Sequence, residues 1–545
     1  MTFPDMSSRA KTAFVLAVLL IAGTAAALFP RRSGDSATTD AAAATPADSP
    51  ERARRAEATP AGTRAFPGTP AGAIPGEAVL FFRDAAALEA FLKNAAARGL
   101  KILGAVPALN AARVSVGADF DAARIPGALG ADFNFAVRVP ATPPDAFSDA
   151  EARDVSGGLG RVPVGENALA QLGVSEEKRA ASSLGAGVKI ALLDTGVFAE
   201  HASLRDAKIS VIDVAGGAAD TADSLAHGTA VASLIAGNGE NGVFGMAANA
   251  DLLAVRVFDG EGNATAFELA RGLVAAADAG ARVINVSAGL DADSAVLRAA
   301  VEYALRAGAT IVAAAGNEGV TALSFPAGYA GVVSVGAVDG ANASAPFSNV
   351  GENLSVVAPG VAVTAAGTSA ADAATAFSGT SAAAPLVAGT LAAALADSAG
   401  TLGADALEAT ADDFGAPGRD AEYGAGLVNF ERLTRPAGAR ASDVSVNDVH
   451  CRRAEDGRAE PAVFATIQNR GTLWEDCAFS LRIVFADGSV SATGGALRLS
   501  PGESVGRGAD VPEARLREGV LVEAKILDAS GAVLSDRSLL LRSAD

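Results

Sequence analysis

A chain of 545 residues exceeds one typical domain, and a hydrophobic fraction of 50%, inflated by alanine, leaves ample material for a sizeable core. The formal net charge of −19 argues against a nucleic-acid binder and otherwise bears on solubility alone. Several domains are expected.

Arg9 and Lys11 precede an apolar run from Ala13 to Phe29, which Pro30, Arg31 and Arg32 close. The run lies between a signal-peptide core and a full membrane span, and Ala25-Ala26-Ala27 offers a small-residue cleavage site. Residues 1–32 therefore read as an export signal, either cleaved, giving a secreted or periplasmic protein, or kept as a membrane anchor. Residues 33–75 are rich in Ala, Pro, Thr and Ser and cannot bury enough surface to offset the entropy of ordering. They are expected to form a disordered linker.

Residues 76–140 change character. Ala78 to Phe82 reads as a strand, Asp84 to Arg98 as an amphipathic helix and Lys101 to Val116 as two strands. Phe120 to Ile125 reads as a short helix and Asp132 to Val139 as a last strand. That β-α-β-β-α-β order suits a ferredoxin-like α+β unit. A Pro-, Asp- and Gly-rich stretch from Pro140 to Gly160 follows.

Between residues 160 and 435 apolar strands alternate with helices. Strands are expected at Val188 to Leu193, Asp251 to Val257, Val283 to Val286, Thr310 to Ala314 and Val332 to Val338. Helices are expected at Gly165 to Gly173, His227 to Ala236, Ala266 to Ala279, Ser294 to Ala307 and Ser381 to Ser398. Continuous apolar strands separated by helices indicate an α/β fold, a parallel sheet covered on both faces. Residues 440–545 switch to strands separated by Asp487-Gly488, Pro501-Gly502 and Ser530-Gly531, the pattern of a small immunoglobulin-like β-sandwich. Strands are expected there at Val444 to Val449, Ala462 to Asn469, Phe479 to Phe485, Gly519 to Leu527 and Ser538 to Leu541. Cys451 and Cys477, the two cysteines of the chain, lie in this part and form either a disulfide or two thiols.

Four motifs in the α/β region carry chemistry. Ala191 to Val197 (ALLDTGV) is an apolar strand ending in Asp194 and a turn glycine, where α/β sheets present functional side chains. His227 opens HGTAVASLIAG, Ala313 to Gly319 reads AAAGNEG, and Phe377 to Gly389 reads FSGTSAAAPLVAG with Ser381 where a turn enters a helix. Ser381 is either a helix cap, its hydroxyl satisfying an orphan N–H, or a nucleophile at the positive end of the helix dipole. An acid, a histidine and a serine are the parts of nucleophilic catalysis, in which the base takes the hydroxyl proton and the acid orients the base. Of the three histidines, His201, His227 and His450, only His227 sits in a Gly-Thr-x-Val-Ala context. Gly237 to Gly242 (GNGENG) matches a dinucleotide fingerprint but follows a helix instead of a strand, and no GxSxG, GxxxxGK[ST] or HExxH motif occurs.

In the order Asp, His, Ser, with their flanking small residues, these motifs resemble the subtilisin-like serine proteases from about Val162 to Phe430. The resemblance implies an exported endopeptidase in which Ser381 attacks, His227 moves the proton and Asp194 orients His227, while Asn317 and the Ser381 N–H hold the oxyanion. It implies a substrate-binding edge at Ser287, Ala288 and Gly289. Primary-pocket walls would come from Ala314, Ala315 and Gly316 with Pro326 to Gly328, and Glu318 would sit near the rim. Ala288 and Leu290 depart from the family's common Leu-Gly-Gly. His201 would be non-catalytic, and Tyr423 to Phe430 would close the catalytic domain.

Residues 76–140 would be a propeptide that assists folding and occupies the cleft until the chain cuts itself between Pro140 and Gly160. Partners are then protein or peptide substrates and the chain's own propeptide. The chemistry needs no cofactor and no catalytic metal; for Asn238, Glu240 and Asn241 the two readings are a calcium loop and a solvated turn. A scaffold on a dead protease fold would be expected to lack one of the four catalytic groups, and all four are present. An acyl transferase would use the same residues and would be distinguished by its products with an added amine.

Ala382 stands directly after Ser381, where members of the family frequently carry methionine. Without that thioether, peroxide should inactivate this chain more slowly than a methionine-bearing relative under the same conditions. Equal inactivation rates would contradict this.

Overall fold

The computed structural model describes residues 70–117, 119–141, 143, 162–180, 184–216, 223–398, 402–452 and 461–541. The expected export signal, nearly all of the expected linker and most of the stretch from Pro140 to Gly160 lie outside the described residues. The described residues fall into two compact units, one running to residue 412 and including 419–435, the other made of 413–418 and the residues from 436 onward.

The larger unit begins with an antiparallel sheet of β1 (Ala73–Phe82), β2 (Lys101–Val106), β3 (Ala111–Ser115) and β4 (Ala128–Arg138), in the order β2-β3-β1-β4. Helix α1 (Ala85–Asn94) is capped by Asp84, whose carboxylate accepts the Ala87 N–H at 2.8 Å. The two-residue period of β1 sorts its side chains: Ala78, Leu80 and Phe82 pack with Leu88 and Phe91 of α1, while Val79 and Phe81 turn to the opposite face. Two expectations shift. β1 starts at Ala73, inside the expected linker, and the helix expected at Phe120 to Ile125 is one 3-10 turn, Ala122–Arg124. Pro126 disfavours a helical Ile125, and Gly127 at φ 80 ends the turn.

The core of this unit is a seven-stranded parallel sheet, with helices as the alternation predicts. Its strands are β5 (Lys189–Asp194), β6 (Lys208–Asp213), β7 (Asp251–Arg256), β9 (Val283–Val286), β10 (Thr310–Ala314), β11 (Val333–Val338) and β12 (Val356–Pro359). They lie in the order β12-β11-β10-β9-β5-β7-β6. The two edge strands were not expected. β6 is a half-polar KISVID with Val211 exposed, and β12 has four residues ending in proline.

Helices α2 (His227–Ala236) and α5 (Thr380–Asp397) pack together on one face. Helices α3 (Ala266–Asp278) and α4 (Ala295–Arg306) cover the other, over Ala191, Leu193, Leu253, Val255, Ile284 and Ile311. α5 is apolar enough to cross a bilayer but is 89% buried, a core helix.

The α+β sheet continues into this core. Its outer face, Val79, Val106, Phe135 and Val137, shares one apolar cluster with α3 and α4. It also supplies first-turn acceptors that helices cannot provide for themselves: Asp132 takes the Ala295 N–H at 2.8 Å and Asn134 the Phe267 N–H at 3.3 Å. Arg113 bridges Glu77 at 2.9 Å and Glu268 at 2.5 Å. β4 then pairs with the short β8 (Asn263–Thr265), Ala136 opposite Thr265 and Arg138 opposite Asn263.

The second unit contains two antiparallel sheets around one apolar core. One is ordered β15-β16-β19 and the other β18-β17-β20-β21. The strands are β15 (Val444–Arg452), β16 (Ala462–Asn469), β17 (Glu475–Phe485), β18 (Val490–Leu499), β19 (Ser504–Asp510), β20 (Val520–Leu527) and β21 (Val533–Leu541). β18 and β19 were not expected, because VSATGGALRL and SVGRGAD carry glycines that weaken the strand signal. Cys451 and Cys477 lie in different sheets and no disulfide joins them; burial pushes the Cys477 thiol up to about 11.

Candidate active site

Asp194 ends β5 and is 1% exposed, its carboxylate accepting the Thr195 N–H at 2.8 Å. His227 opens α2 and directs Nδ1 at the same carboxylate oxygen, also at 2.8 Å. Its Nε2 is buried and has no hydrogen-bond partner among the described residues. The ring of Phe377 stands edge-on to the imidazole at 5.4 Å, closing it from water.

Three opposing influences set the charge of His227. Burial alone would press its pKa down, but the charge of Asp194 and its hydrogen bond outweigh that, and the charge of Asp223 adds to them. The pKa is raised above the ordinary value.

Ser381 is the second residue of α5, two positions past the cap Gly379, so it is not the helix cap. Its hydroxyl donates to the Ser287 carbonyl at 3.1 Å and satisfies no helix amide. Pro385 has no N–H to give the Ser381 carbonyl four residues back, and the Ser287 hydroxyl donates there at 3.1 Å instead. Asn285 donates in turn to the Ser287 hydroxyl at 3.0 Å, so the end of β9 holds the backbone of the serine turn from behind.

Asn317 follows β10. Its side-chain oxygen accepts both the Thr380 N–H at 2.8 Å and the Thr380 hydroxyl at 2.9 Å, which turns the amide nitrogen away from Thr380. That nitrogen passes Gly379, φ 132, so closely that a Cβ there would stand 3.1 Å from it. Gly316, φ 115, is more restricted: a Cβ would meet Asn349 Nδ2 at 2.1 Å.

Ser381 and Asn317 line a cleft of about 610 Å³, with Ala288, Gly289, Ala314, Gly316 and Glu318. Ser287, expected on the substrate-binding edge, and Ala315, expected in the pocket wall, do not line it. Ser287 is fully buried beneath Ser381, and Ala315 is fully buried with its N–H on the Val335 carbonyl at 3.0 Å. Ala327, from the stretch expected at the pocket base, is buried too, and Ser324 lines the cleft instead.

His201 is fully buried, with Nε2 on the Ala373 carbonyl at 3.0 Å and Nδ1 accepting the Ser203 N–H at 3.2 Å, a structural role. His450 belongs to the other unit, beside Asp448. In the 238–241 loop, Asn238 donates to the Ala202 carbonyl and accepts the Glu240 N–H, and Asn241 donates to the Asp372 carbonyl. Among the described residues no group of three or more His, Cys, Asp or Glu is arranged to hold a metal.

Sequence reasoning overlooked Asp223, Phe377 and the two threonines that follow Asp194 and His227. Thr195 accepts the Gly228 N–H at 2.9 Å and Thr229 accepts the Phe198 N–H at 2.9 Å. Each motif thus caps or anchors the backbone of the other. The detectable signal was the recurring threonine in Asp-Thr-Gly and His-Gly-Thr.

The subtilase family model matches residues 185–426. Over 243 residues the chain is 42% identical to a thermophilic serine proteinase of Bacillus sp. (strain AK1), covering 44% of this chain and 60% of that one. It is 40% identical to subtilisin BL of Lederbergia lenta over 265 residues, covering 46% of this chain and 92% of that one. The chain spans 60% to 65% of the length of several longer relatives, alkaline elastase YaB of Bacillus sp. (strain YaB) among them. In fold it is similar to fervidolysin from Fervidobacterium pennivorans, a keratinolytic enzyme related to subtilisin. That match has a TM-score of 0.57 and 19% identity, covering 88% of this chain and 92% of that one. With Asp194 ending β5 and paired with His227, and with Ser381 and Asn317 lining one cleft, the chain belongs to the subtilase family.

Proposed function

We propose that the chain is an exported serine endopeptidase that hydrolyses peptide bonds through an acyl-enzyme on Ser381. The observation that carries this is the buried Asp194–His227 pair with its unpartnered Nε2, at the start of the helix α2 that packs against α5, the helix carrying Ser381. Ser381 Oγ attacks the carbonyl carbon and passes its proton to Nε2. The C–N bond breaks as His227 returns that proton to the leaving amine, and water repeats the sequence on the ester.

Ser381 Oγ donates to the Ser287 carbonyl. A bound peptide N–H would claim that acceptor and release Oγ to His227. Asn317, its amide oriented by Thr380, and the Ser381 N–H at the start of α5 would hold the oxyanion. Ala288, Gly289, Ala314 and Gly316 leave room for a fairly large apolar side chain beside Ser381.

Residues 76–140 would act as the propeptide, with residues 1–32 directing export and residues 440–545 forming an accessory β-sandwich. Three observations support the first role. The α+β sheet caps α3 and α4, its last strand pairs with β8, and Pro140 and Ala141 line the cleft that Ser381 lines.

The intact mass of the exported protein tests self-cleavage. Wild type should be shortened, with a new N-terminus between Pro140 and Gly160, and Ser381→Ala should remain uncut there. Equal masses would contradict it. On peptide substrates Asn317→Ala should lower kcat about 10² to 10³, the cost of removing one such donor in subtilisin itself. A loss below about tenfold would remove Asn317 from the oxyanion site.

The raised pKa of His227 fixes the sign of the pH dependence. The base works neutral, so kcat/KM should fall as pH drops through a midpoint above the ordinary 6.5. A midpoint below 6.5 would contradict the influence of Asp194.

A further inference from the structure

Asp223 is a buried carboxylate that the mechanism leaves unused. It lies four residues before His227, is 1% exposed, and holds φ at 48, a left-handed conformation that persists in a non-glycine residue where its surroundings impose it. Three donors converge on it: the Thr195 hydroxyl on Oδ1 at 2.8 Å, and the Thr229 N–H at 2.8 Å and hydroxyl at 2.7 Å on Oδ2.

The hydrogen bonds fit the ionised carboxylate. Both hydroxyls already accept a backbone N–H, from Gly228 and Phe198, and each lies within bonding distance of an Asp223 oxygen. A carboxylate can accept on both oxygens, as that arrangement asks.

We propose that Asp223 is a positioning residue for His227. Its carboxylate clamps the first turn of α2 to the turn after β5, and it supplies a second buried negative charge that favours the imidazolium formed when His227 takes the Ser381 proton. This rests on the serine-protease reading above. The charged groups that act on the imidazole among the described residues are Asp194 from β5 and Asp223 ahead of α2; the neighbour from β14 (Ala374–Phe377), the strand paired with β13 (Val363–Ala366), is the neutral ring of Phe377. Burial pushes the Asp223 carboxyl up, the Thr229 and Thr195 bonds pull it down, and Asp194 adds to the rise, for a net upward shift. Two buried carboxylates thus both favour the charged form of one imidazole.

The test is the pH profile of kcat/KM for the full chain carrying Asp223→Asn or Asp223→Ala, whichever circular dichroism shows to be folded. The acid-limb midpoint should move down by about 0.5 to 1 unit. Asp223→Glu, which keeps the charge, should restore it. Thr229→Val removes one bond that favours the Asp223 charge but leaves the carboxylate, and should lower stability and move the midpoint down by less than Asp223→Asn does.

In a Ser381→Ala background, the His227 Nδ1–H resonance followed by NMR against pH should show the same displacement without any turnover. A lowered rate with an unmoved midpoint would reduce Asp223 to a structural role and overturn the proposal. So would Thr229→Val moving the midpoint as far as Asp223→Asn does. If wild type hydrolyses nothing at any pH while the NMR displacement is present, the protease reading fails and the electrostatic coupling stands.

Discussion

Everything distinctive about this chain depends on bringing one carboxylate out of water and placing an imidazole against it. The 2.8 Å bond between Asp194 and His227 joins a strand end to a helix start 33 residues later, and neither element could hold that geometry alone. A buried carboxylate without compensation is costly. Here Oδ1 accepts from the Thr195 amide as well as from the imidazole, while Oδ2 is buried without a partner among the described residues.

The remaining architecture acts to keep those two ends still. The parallel sheet fixes where β5 ends, and the α2–α5 pair on one face sets the distance between the histidine and serine helices. Each helix that carries a site residue begins with amides it cannot satisfy itself, and another motif satisfies them. Thr195 takes the Gly228 N–H, Asp223 takes the Thr229 N–H, and Asn317 takes the Thr380 N–H. The site is therefore coupled through its capping groups. The same device recurs on the far face, where Asp132 and Asn134 of the α+β sheet serve the helices they cover.

Much of this was legible in the sequence, for a physical reason. Asp194, His227, Asn317 and Ser381 each sit in a run where backbone and side chain must both be special, so glycine and small residues cluster around them. The buried strands were legible because full burial makes them continuously apolar. The edge strands β6 and β12 and the glycine-bearing β18 and β19 were not, since pairing and not composition makes them strands. Ser287 and Ala315 came with the family resemblance, as part of the substrate-binding edge and the pocket wall, and the motifs do not say which of their side chains face the cleft. Alternation turned them inward, Ser287 to hold Ser381 from beneath. Asp223 was illegible for a related reason: its role depends on two threonines far apart in sequence, which only folding brings to one carboxylate.

The central claim is that Asp194, His227 and Ser381 form one nucleophilic unit. Reaction of the full chain with an organophosphorus fluoride, followed by intact mass and peptide mapping, tests it without any assumption about substrate. A single adduct on Ser381 is expected, forming slowly in His227→Ala and not at all in Ser381→Ala. An unlabelled Ser381, or labelling at the same rate once His227 is removed, would contradict it.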